Sequence, residues 1–234
     1  TGYRSGGFDY GSCFDPFDPE KLISYEIGLK MDISNTLRVN IGAFVYDYED
    51  FQARVFTPLG TETFNAEGAD VQGLEVEVDW IASENLRISS SLSYLNSELK
   101  DLTAQDPMAP ENGFVDMTGN SLLRAPDLQA SLAASYDISL TAGLLTLQGD
   151  ISFVDDQEHS LWNNPVGFEP SRTMSNLRMF FEPANIENFS INAFVLNVSD
   201  KEYAPMVINS GLTGGTTKAF GAPRTWGVEI RFRN

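Results

Sequence analysis

Few side chains in this chain could carry out catalysis. His159 is the only histidine, and it follows an acidic group (Asp155, Asp156 and Glu158) at the point where a predicted strand ends. A metal centre or an acid–base pair would need such groups to converge on one point. The chain has no second histidine to complete a metal centre, and no serine lies in a nucleophile-elbow pattern. We therefore predict no catalytic residue, no metal ligand and no cofactor.

Two weaker candidates for ion or redox chemistry lie near the beginning of the chain. The first candidate is a pair of acidic groups, at residues 15–20 and 47–50, whose carboxylates could bind Ca²⁺ through oxygen ligands. Strand alternation divides the side chains of the group at 47–50 between opposite faces of the sheet. The single cysteine, Cys13, excludes a disulfide and a cysteine-based zinc site within the chain. We expect solvated carboxylates and an unpaired loop thiol. The acidic candidates are Asp15, Asp18 and Glu20, and Asp47, Glu49 and Asp50.

Aromatic and amide side chains in the long polar segments are the best candidates for contact with a ligand. Rings that stack and amides that donate hydrogen bonds suit a sugar or another ring-containing ligand. The alternative for each residue is a loop side chain that never touches a ligand. The candidates are His159, Trp162, Asn163, Asn164, Phe168, Asn209 and Thr213.

Charge and hydropathy restrict the class of protein. The 234 residues include 33 acidic and 15 basic side chains, which gives a net charge of -18. A field of that sign repels nucleic acid, so no nucleic-acid partner is predicted. No apolar run approaches the length of about 18 residues that a membrane-spanning helix requires.

The elements that must position these residues are strands. Apolar and polar residues alternate with a period of two, as from Leu74 to Trp80, where Glu75, Glu77 and Asp79 point the other way. No stretch shows sustained helical spacing, so the chain is predicted to be all-β. A short strand fragment is predicted at 1–5, before nine complete strands at 22–33, 37–56, 70–82, 86–99, 124–138, 144–155, 172–182, 189–198 and 219–232.

The connections between these strands alternate in length. Short links at 34–36, 83–85, 139–143 and 183–188 alternate with longer links at 57–70, 101–123, 155–171 and 199–218. A soluble sandwich has no reason to sort its loops by end, whereas a membrane β-barrel has tight turns at one end and long loops at the other. The predicted strands are also long enough to cross the apolar band of roughly 25 Å when tilted by about 40°.

Nine strands and a fragment do not close a bacterial barrel, because single-chain barrels have even strand numbers and open edges in lipid leave backbone groups unsatisfied. The charged residues on the polar face favour a wide, wet lumen, and an acidic lumen disfavours strongly anionic cargo. We therefore expect Thr1 to be a processing or fragment boundary and the chain to form the C-terminal part of a larger barrel.

Six short motifs, in order along the chain, resemble those of TonB-dependent outer-membrane receptors. Tyr25-Glu26-Ile27-Gly28-Leu29-Lys30 is similar to the family's "YExGLK" strand, and the last motif is similar to "GxPRxxGV". Each motif alone is weak, but six in family order between residues 19 and 232 are strong. The other matching segments are Ala43–Gln52, Asn65–Glu77, Leu123–Pro126, Leu196–Tyr203 and Gly221–Ile230.

This resemblance implies an antiparallel transmembrane β-barrel. The family has about 22 strands and a plugged lumen. Residues 1–234 would supply nine to ten C-terminal strands, without the plug domain and the N-terminal strands. The implied function is active transport across the outer membrane of a Gram-negative bacterium, without catalysis. The implied partners are a nutrient (a ferric siderophore, haem, cobalamin or an oligosaccharide), outer-membrane lipids and the TonB complex, which acts through the missing plug.

Two other classes of protein remain as alternatives. A soluble β-sandwich that serves in binding or adhesion would dissolve without detergent. An outer-membrane barrel enzyme, such as a lipase or a protease, would need a nucleophile and a base, and His159 is the only histidine that could act as one. Loss of a surface hydrolytic activity on replacement of His159 would favour the enzyme.

Overall fold

A computed structural model describes residues 1–9, 16–57, 60–106, 108–210 and 215–232. Cys13, Asp15 and Thr213 lie outside the described residues, as do the side chains of residues 55–57, 60–61 and 209–210. The described residues form strands joined by turns and loops, with one 3₁₀ turn at Pro110–Asn112. Within these ranges no helix has the length and hydrophobicity needed to cross a membrane. The all-β prediction is confirmed.

The strands fall into a long set and a short set. The long set, with a three-residue strand at its start, comprises β1 (Gly2–Arg4), β4 (Glu20–Ser34), β5 (Leu37–Glu49), β8 (Gly68–Ile81), β9 (Leu86–Lys100), β12 (Leu128–Leu140), β13 (Gly143–Val154), β16 (Arg172–Pro183), β17 (Phe189–Leu196) and β20 (Thr225–Phe232). The short set comprises β2 (Gly7–Phe8), β3 (Pro16–Phe17), β6 (Gln52–Thr57), β7 (Gly60–Asn65), β10 (Thr103–Gln105), β11 (Phe114–Asp116), β14 (Gln157–Glu158), β15 (Phe168–Glu169), β18 (Met206–Ser210) and β19 (Gly215–Ala219).

The long strands form one ten-stranded antiparallel sheet in which each strand pairs with its neighbours along the chain, in the order β1-β4-β5-β8-β9-β12-β13-β16-β17-β20. Residues 35–36, 82–85, 141–142 and 184–188 connect strands at one edge, which we call the turn end. All longer connections lie at the opposite edge, the loop end. The predicted sorting of the connections by length is confirmed.

The strands are staggered relative to one another, as in the tilted wall of a barrel. A row of directly opposed residues starts at Trp226, the second residue of β20 at the loop end. The same row reaches Leu37, the first residue of β5 at the turn end. Between them it passes through Val195, Leu177, Gly149, Ala134, Ile88 and Trp80. With this stagger, a strand of 13 residues such as β12 covers about 33 Å when tilted by about 40°.

Three predicted strands have a bound that differs by four or more residues from the structure, whereas the others agree to within two. The strand predicted at 37–56 ends at Glu49, because Asp50 has a φ of 54° and the chain turns there into the separate β6. The strand predicted at 124–138 begins at Leu128, because Arg124 has a φ of 54° and Pro126 follows. The strand predicted at 219–232 begins at Thr225, after a break that contains Pro223.

The two faces of the sheet differ in polarity. One face, which we call the apolar face, exposes large side chains: Tyr25 is 73% exposed, Ile27 77%, Trp226 76% and Ile230 66%. A soluble protein would bury such a surface, whereas a membrane barrel presents it to lipid. Further members of the apolar face are Leu74, Trp80, Leu92, Tyr94, Leu132, Tyr136, Leu147, Ile151 and Leu177.

The opposite face, which we call the polar face, carries hydrogen bonds and ion pairs between neighbouring strands. Asp150 accepts hydrogen bonds from Arg178 Nη1 at 2.9 Å and from Asn176 Nδ2 at 2.6 Å. Nearer the turn end, Arg38 Nε donates to Asp32 Oδ1 at 2.7 Å. These groups remain partly exposed, as they would in a wet lumen.

Within the described residues, the buried apolar cluster lies at the loop end. Leu99 and Met117 are 0% exposed, and Leu161 is 3% exposed. The short strands form five hairpins here, one in each long connection, and the hairpins pack on one another. The loop end is therefore a folded layer. The other buried members of the cluster are Ala53, Ala66, Ala69, Leu102 and Ala104.

A close approach on the polar face predicts that alanine is tolerated less well at Gly73 than at Gly42. A Cβ added at Gly73 would lie 2.5 Å from Phe44 Cζ and 2.7 Å from the backbone oxygen of Tyr94. The Phe44 ring is stacked on Tyr46, with ring centroids 4.8 Å apart, so its movement is restricted. A Cβ at Gly42 meets nothing within 4 Å.

We therefore expect Gly73→Ala to lower the free energy of unfolding by about 1–3 kcal/mol because of overpacking. Gly42→Ala should leave it unchanged or slightly raised, because alanine reduces the entropy of the unfolded chain. Urea unfolding of both variants in lipid bilayers measures the difference. Equal stability of the two variants would show that Phe44 does not occupy the space above Gly73.

Candidate functional site

A cavity of about 580 Å³ lies among the hairpins at the loop end. Four long connections contribute to it: those that contain β6–β7, β10–β11, β14–β15 and β18–β19. Its size is within the range of small-molecule binding sites. The lining residues are Phe51, Gln52, Ala53, Arg54, Asp106, Met108, Leu122, Leu123, Arg124, His159, Ser160, Leu161, Trp162, Met206, Val207 and Ile208.

Hydrogen bonds between loops fix the apolar wall of the cavity. Trp162 Nε1 donates to the backbone oxygen of Ala104 at 3.3 Å, which holds the indole against the β10 segment. Asn120 Nδ2 donates to the backbone oxygen of Leu161 at 2.7 Å. Leu161 also packs in the buried cluster. The position of Trp162 is therefore set by the connection that contains β10 and β11, which is distant in sequence.

Two polar lining groups are occupied by structural hydrogen bonds. Gln52 Nε2 donates to the backbone oxygens of Ser5 and Asp18, both at 3.0 Å. Asp106 accepts a hydrogen bond from the backbone N–H of Met108 at 2.9 Å. These bonds tie the walls together and leave Arg54, Arg124 and His159 as the lining groups best placed to meet a polar ligand.

The cavity is more cationic than the chain as a whole. Arg54 lies 3.8 Å from Asp9 in a long ion pair. Arg124 forms no ion pair with the described residues, and its backbone N–H donates to the oxygen of Glu158 at 2.8 Å, which brings Arg124 close to His159. The net charge of -18 therefore does not describe the local charge at this cavity.

Two neighbouring residues at the rim have shifted pKa values. Burial raises the pKa of the Glu158 carboxyl, and the nearby Asp156 adds to this effect. Burial lowers the pKa of His159, and the positive charge of Arg124 lowers it further. Arg172 and Lys218 act in the same direction, while Glu169 opposes them.

The single histidine of the chain allows a direct test of this field. We expect the pKa of His159, measured from its imidazole resonance by NMR, to lie below the ordinary value near 6.5. Because the folded-state pKa is lowered, the contribution of His159 to stability is present above pH 6.5 and is lost as the pH falls through the folded-state pKa.

The matched variants are Arg124→Gln, which should raise the pKa of His159, and Lys201→Gln, which should leave it unchanged because Lys201 does not act on the imidazole. A His159 pKa above 6.5, or one that does not respond to Arg124→Gln, would contradict the described position of Arg124.

The structure places the ligand-contact candidates in different environments. His159 and Trp162 both line the cavity. Asn163 is exposed at a turn and has a φ of 48°. Asn164 Nδ2 donates a hydrogen bond to Asp106 Oδ2 at 3.3 Å, and Asn164 Oδ1 accepts one from the N–H of Gly167 at 2.9 Å. Phe168 is 39% exposed on β15, away from the cavity lining. The backbone of Asn209 lies in β18, and Thr213 lies outside the described residues.

Sequence reasoning missed most of the apolar lining and both arginines. Met206, Val207 and Ile208 form an apolar run inside a long connection, and Leu122 and Leu123 form another. Such runs indicate that a loop is packed rather than solvated, and this signal was available in the sequence. Arg54 and Arg124 carried no local signal, because only the packing of distant loops brings them together.

The acidic groups weighed as metal ligands do not converge. Among the residues the structure describes, no group of three or more histidine, cysteine or acidic side chains could hold a metal ion. Asp155 Oδ1 instead accepts a hydrogen bond from the adjacent N–H of Asp156 at 3.0 Å.

A sheet that has one apolar face exposed over its full width and all its long loops at one end defines the wall of a membrane β-barrel. The chain belongs to the TonB-dependent receptor-like β-barrel family, whose profile matches residues 1–198. This is a family of receptors and not of enzymes, and it is typical of the outer membrane of Gram-negative bacteria. The resemblance seen in the six motifs is confirmed.

Solved structures of receptors share the fold. The ferric yersiniabactin uptake receptor FyuA from Yersinia pestis matches with a TM-score of 0.79 and 19% identity, over 99% of this chain and 33% of FyuA. The siderophore receptor PiuA from Acinetobacter baumannii matches with a TM-score of 0.72 and 21% identity, over 92% of this chain and 29% of PiuA. The chain thus spans about a third of each. A comparison with proteins of curated function found no match.

Proposed function

We propose that the chain forms part of an outer-membrane receptor that binds a ferric siderophore at the loop-end cavity and takes part in its import. The observation that carries the proposal is the cavity itself. It combines the indole of Trp162 with the cationic side chains of Arg54 and Arg124 at the end of the sheet that faces the cell exterior in such barrels. The similarity to siderophore receptors supports this choice of nutrient over haem, cobalamin or an oligosaccharide.

We further propose that residues 1–234 are the C-terminal portion of a barrel of about 22 strands. The register of β1 supports this. Gly2 pairs with Leu22 and Arg4 pairs with Glu20, so β1 covers only the loop end of the 15-residue β4. The rest of that edge, and the outer edge of β20, would expose backbone groups to lipid unless further strands paired with them. Those strands would complete the wall.

Import needs energy, and in this proposal it comes from the TonB complex through a plug that fills the lumen. The polar face supports a wet or plug-filled interior, because its ion pairs, such as Arg178–Asp150, remain partly exposed. The apolar face would contact outer-membrane lipids. No step of this process requires catalysis by the chain.

Uptake of radioactive iron by iron-starved cells that depend on this receptor tests the proposal. A panel of catecholate, hydroxamate and carboxylate siderophores should include at least one that is taken up. Trp162→Ala should weaken its binding by roughly 10–30-fold, as expected for loss of a buried aromatic contact. Trp80→Ala, on the apolar face, is the matched control and should bind normally. The proposal fails if no panel member is taken up or if Trp162→Ala binds like the unchanged receptor.

A further inference from the structure

The apolar face carries a groove that crosses β4, β5, β8 and β9, which we call the outer groove. Its volume is about 490 Å³. Ala43 is directly opposite Ile27 on one side and Leu74 on the other, and Tyr94 is opposite Leu74 on the next strand. Ala43 is therefore the floor of the groove, between larger side chains. The apolar-face residues that line it are Tyr25, Ile27, Ala43, Val45, Gln72, Leu74 and Tyr94.

The outer groove lies where the apolar band ends on the side of the loop end. On β4, every second residue from Ile23 to Ile33 is apolar or aromatic. That run covers about 25 Å when the strand is tilted by about 40°, which is the height of the apolar band of a barrel. Tyr25 and Tyr94 lie near the upper limit of the band, at the level where tyrosine is enriched in membrane proteins. A molecule in the groove would thus have its apolar part in the membrane and its polar part at the membrane surface.

Three carboxylates lie in one row between the groove and the loop end, which we call the carboxylate row. Asp47 is directly opposite Asp70, and Asp70 is directly opposite Glu98. Directly opposed side chains are about 5 Å apart, and like charges in such pairs repel one another. Lys100 Nζ lies 3.1 Å from Asp47 Oδ1 and 2.5 Å from Asp70 Oδ1. Glu98 forms no ion pair with the described residues, so the row keeps a net negative charge.

The carboxylate row suits an ammonium group better than a metal ion. Within the ranges that the structure describes, no three acidic, histidine or cysteine side chains are arranged to hold a metal ion, and the row extends over three strands. An ammonium group has three donors that can point to separate carboxylates. A strongly anionic headgroup would be repelled. Gln72 and Asn96, directly opposite each other between the row and the floor of the groove, offer amide donors for a phosphate oxygen.

We infer that the outer groove binds a zwitterionic phospholipid whose headgroup carries a primary ammonium, of the phosphatidylethanolamine type. One acyl chain lies over Ala43 between Tyr25 and Tyr94. The ammonium group meets Asp70 and Glu98. This inference goes beyond the proposed import function and beyond general contact with lipid, because it assigns a site and a headgroup to one part of the apolar face.

A tryptophan placed in the groove tests this inference. The reporter is Tyr94→Trp in a protein whose three native tryptophans are replaced by phenylalanine, reconstituted in phosphatidylcholine bilayers. Phosphatidylethanolamine and phosphatidylglycerol with brominated acyl chains are then added in turn. We expect the ethanolamine lipid to quench the reporter with a relative binding constant about tenfold larger, as for a hydrogen bond to a charged group. The difference should decrease as salt increases.

Two substitutions in the reporter protein separate the headgroup from the groove. Glu98→Gln should reduce the preference for the ethanolamine lipid several-fold. Its control is Asp79→Asn, because Asp79 lies on the polar face, opposite Arg38 and Ser89.

Ala43→Leu should fill the groove and remove the preference. Its control is Ala130→Leu, because Ala130 lies on the apolar face but does not line the groove. Both controls should keep the preference.

Four results would overturn the inference. Equal quenching by the two lipids would show that the carboxylate row does not select a headgroup. Stronger quenching by phosphatidylglycerol would show that an anionic lipid occupies the groove. An absence of quenching by either lipid would show that something other than lipid, such as a second copy of the chain, covers it. A preference that survives both Glu98→Gln and Ala43→Leu would place the selected lipid elsewhere.

Discussion

Ala134→Arg is expected to destabilise the protein in a lipid bilayer by about 2–4 kcal/mol, the cost of a lipid-facing arginine near the midplane of a barrel wall. Ala134 lies at the centre of the 13-residue β12. It is opposite Ile88 and Gly149, on the face that also exposes Leu132 and Tyr136. The charged side chain would have to be solvated within the apolar band.

The adjacent alanine provides a matched control. Ala133 is on the polar face, opposite Ser89 and Asp150. Ala133→Arg should change the free energy of unfolding by no more than about 0.5 kcal/mol, as is usual for a solvated surface site. Urea unfolding of both variants in bilayers gives the two values. A larger loss for Ala133→Arg than for Ala134→Arg would mean that the faces have been assigned the wrong way round.

The second large effect is expected at Leu99, in the buried cluster at the loop end. Leu99 is 0% exposed and is directly opposite Ala69, which is also 0% exposed. Leu99→Ala should lower stability by about 2–5 kcal/mol through lost contacts and a new cavity. Because the cluster joins the hairpins of several connections, the loss of stability should be concentrated at the loop end.

Hydrogen exchange measures where the loss of stability appears. In Leu99→Ala, amides of residues 101–106 and 157–169 should exchange faster, while those at the centre of the ten-stranded sheet should stay protected. Leu92→Ala, on the apolar face of the same strand, is the control and should have a smaller effect because Leu92 is 41% exposed. Uniform exchange throughout Leu99→Ala would contradict a separate folded layer at the loop end.

The sheet could be predicted from sequence because its determinants are local. Apolar and polar residues alternate along each strand, and this alternation determines which side of the strand faces lipid. A shift of the register by one residue would move every side chain to the opposite face. An example is Leu74, Val76 and Val78, which alternate with Glu75 and Glu77. The predicted strand ends were wrong at positions such as Asp50, where a positive φ ends the strand although the alternation of apolar and polar residues continues.

The folded layer could not be predicted in the same way. The contact of Trp162 with Ala104 joins residues 58 positions apart in two different loops. Alternation carries no information about such pairs. Trp162 and His159 were predicted as ligand contacts from their type and loop position, whereas Arg124 was not, because only the packing of distant loops brings it to the cavity.

Quenching of tryptophan fluorescence by brominated lipids tests most directly whether the apolar face contacts the membrane. The chain has three tryptophans: Trp80 and Trp226 on the apolar face, and Trp162 at the loop-end cavity. In variants that retain one of the three, brominated acyl chains should quench Trp80 and Trp226 strongly and leave Trp162 almost unchanged. Quenching of Trp162 without quenching of Trp80 and Trp226 would contradict the membrane-barrel account.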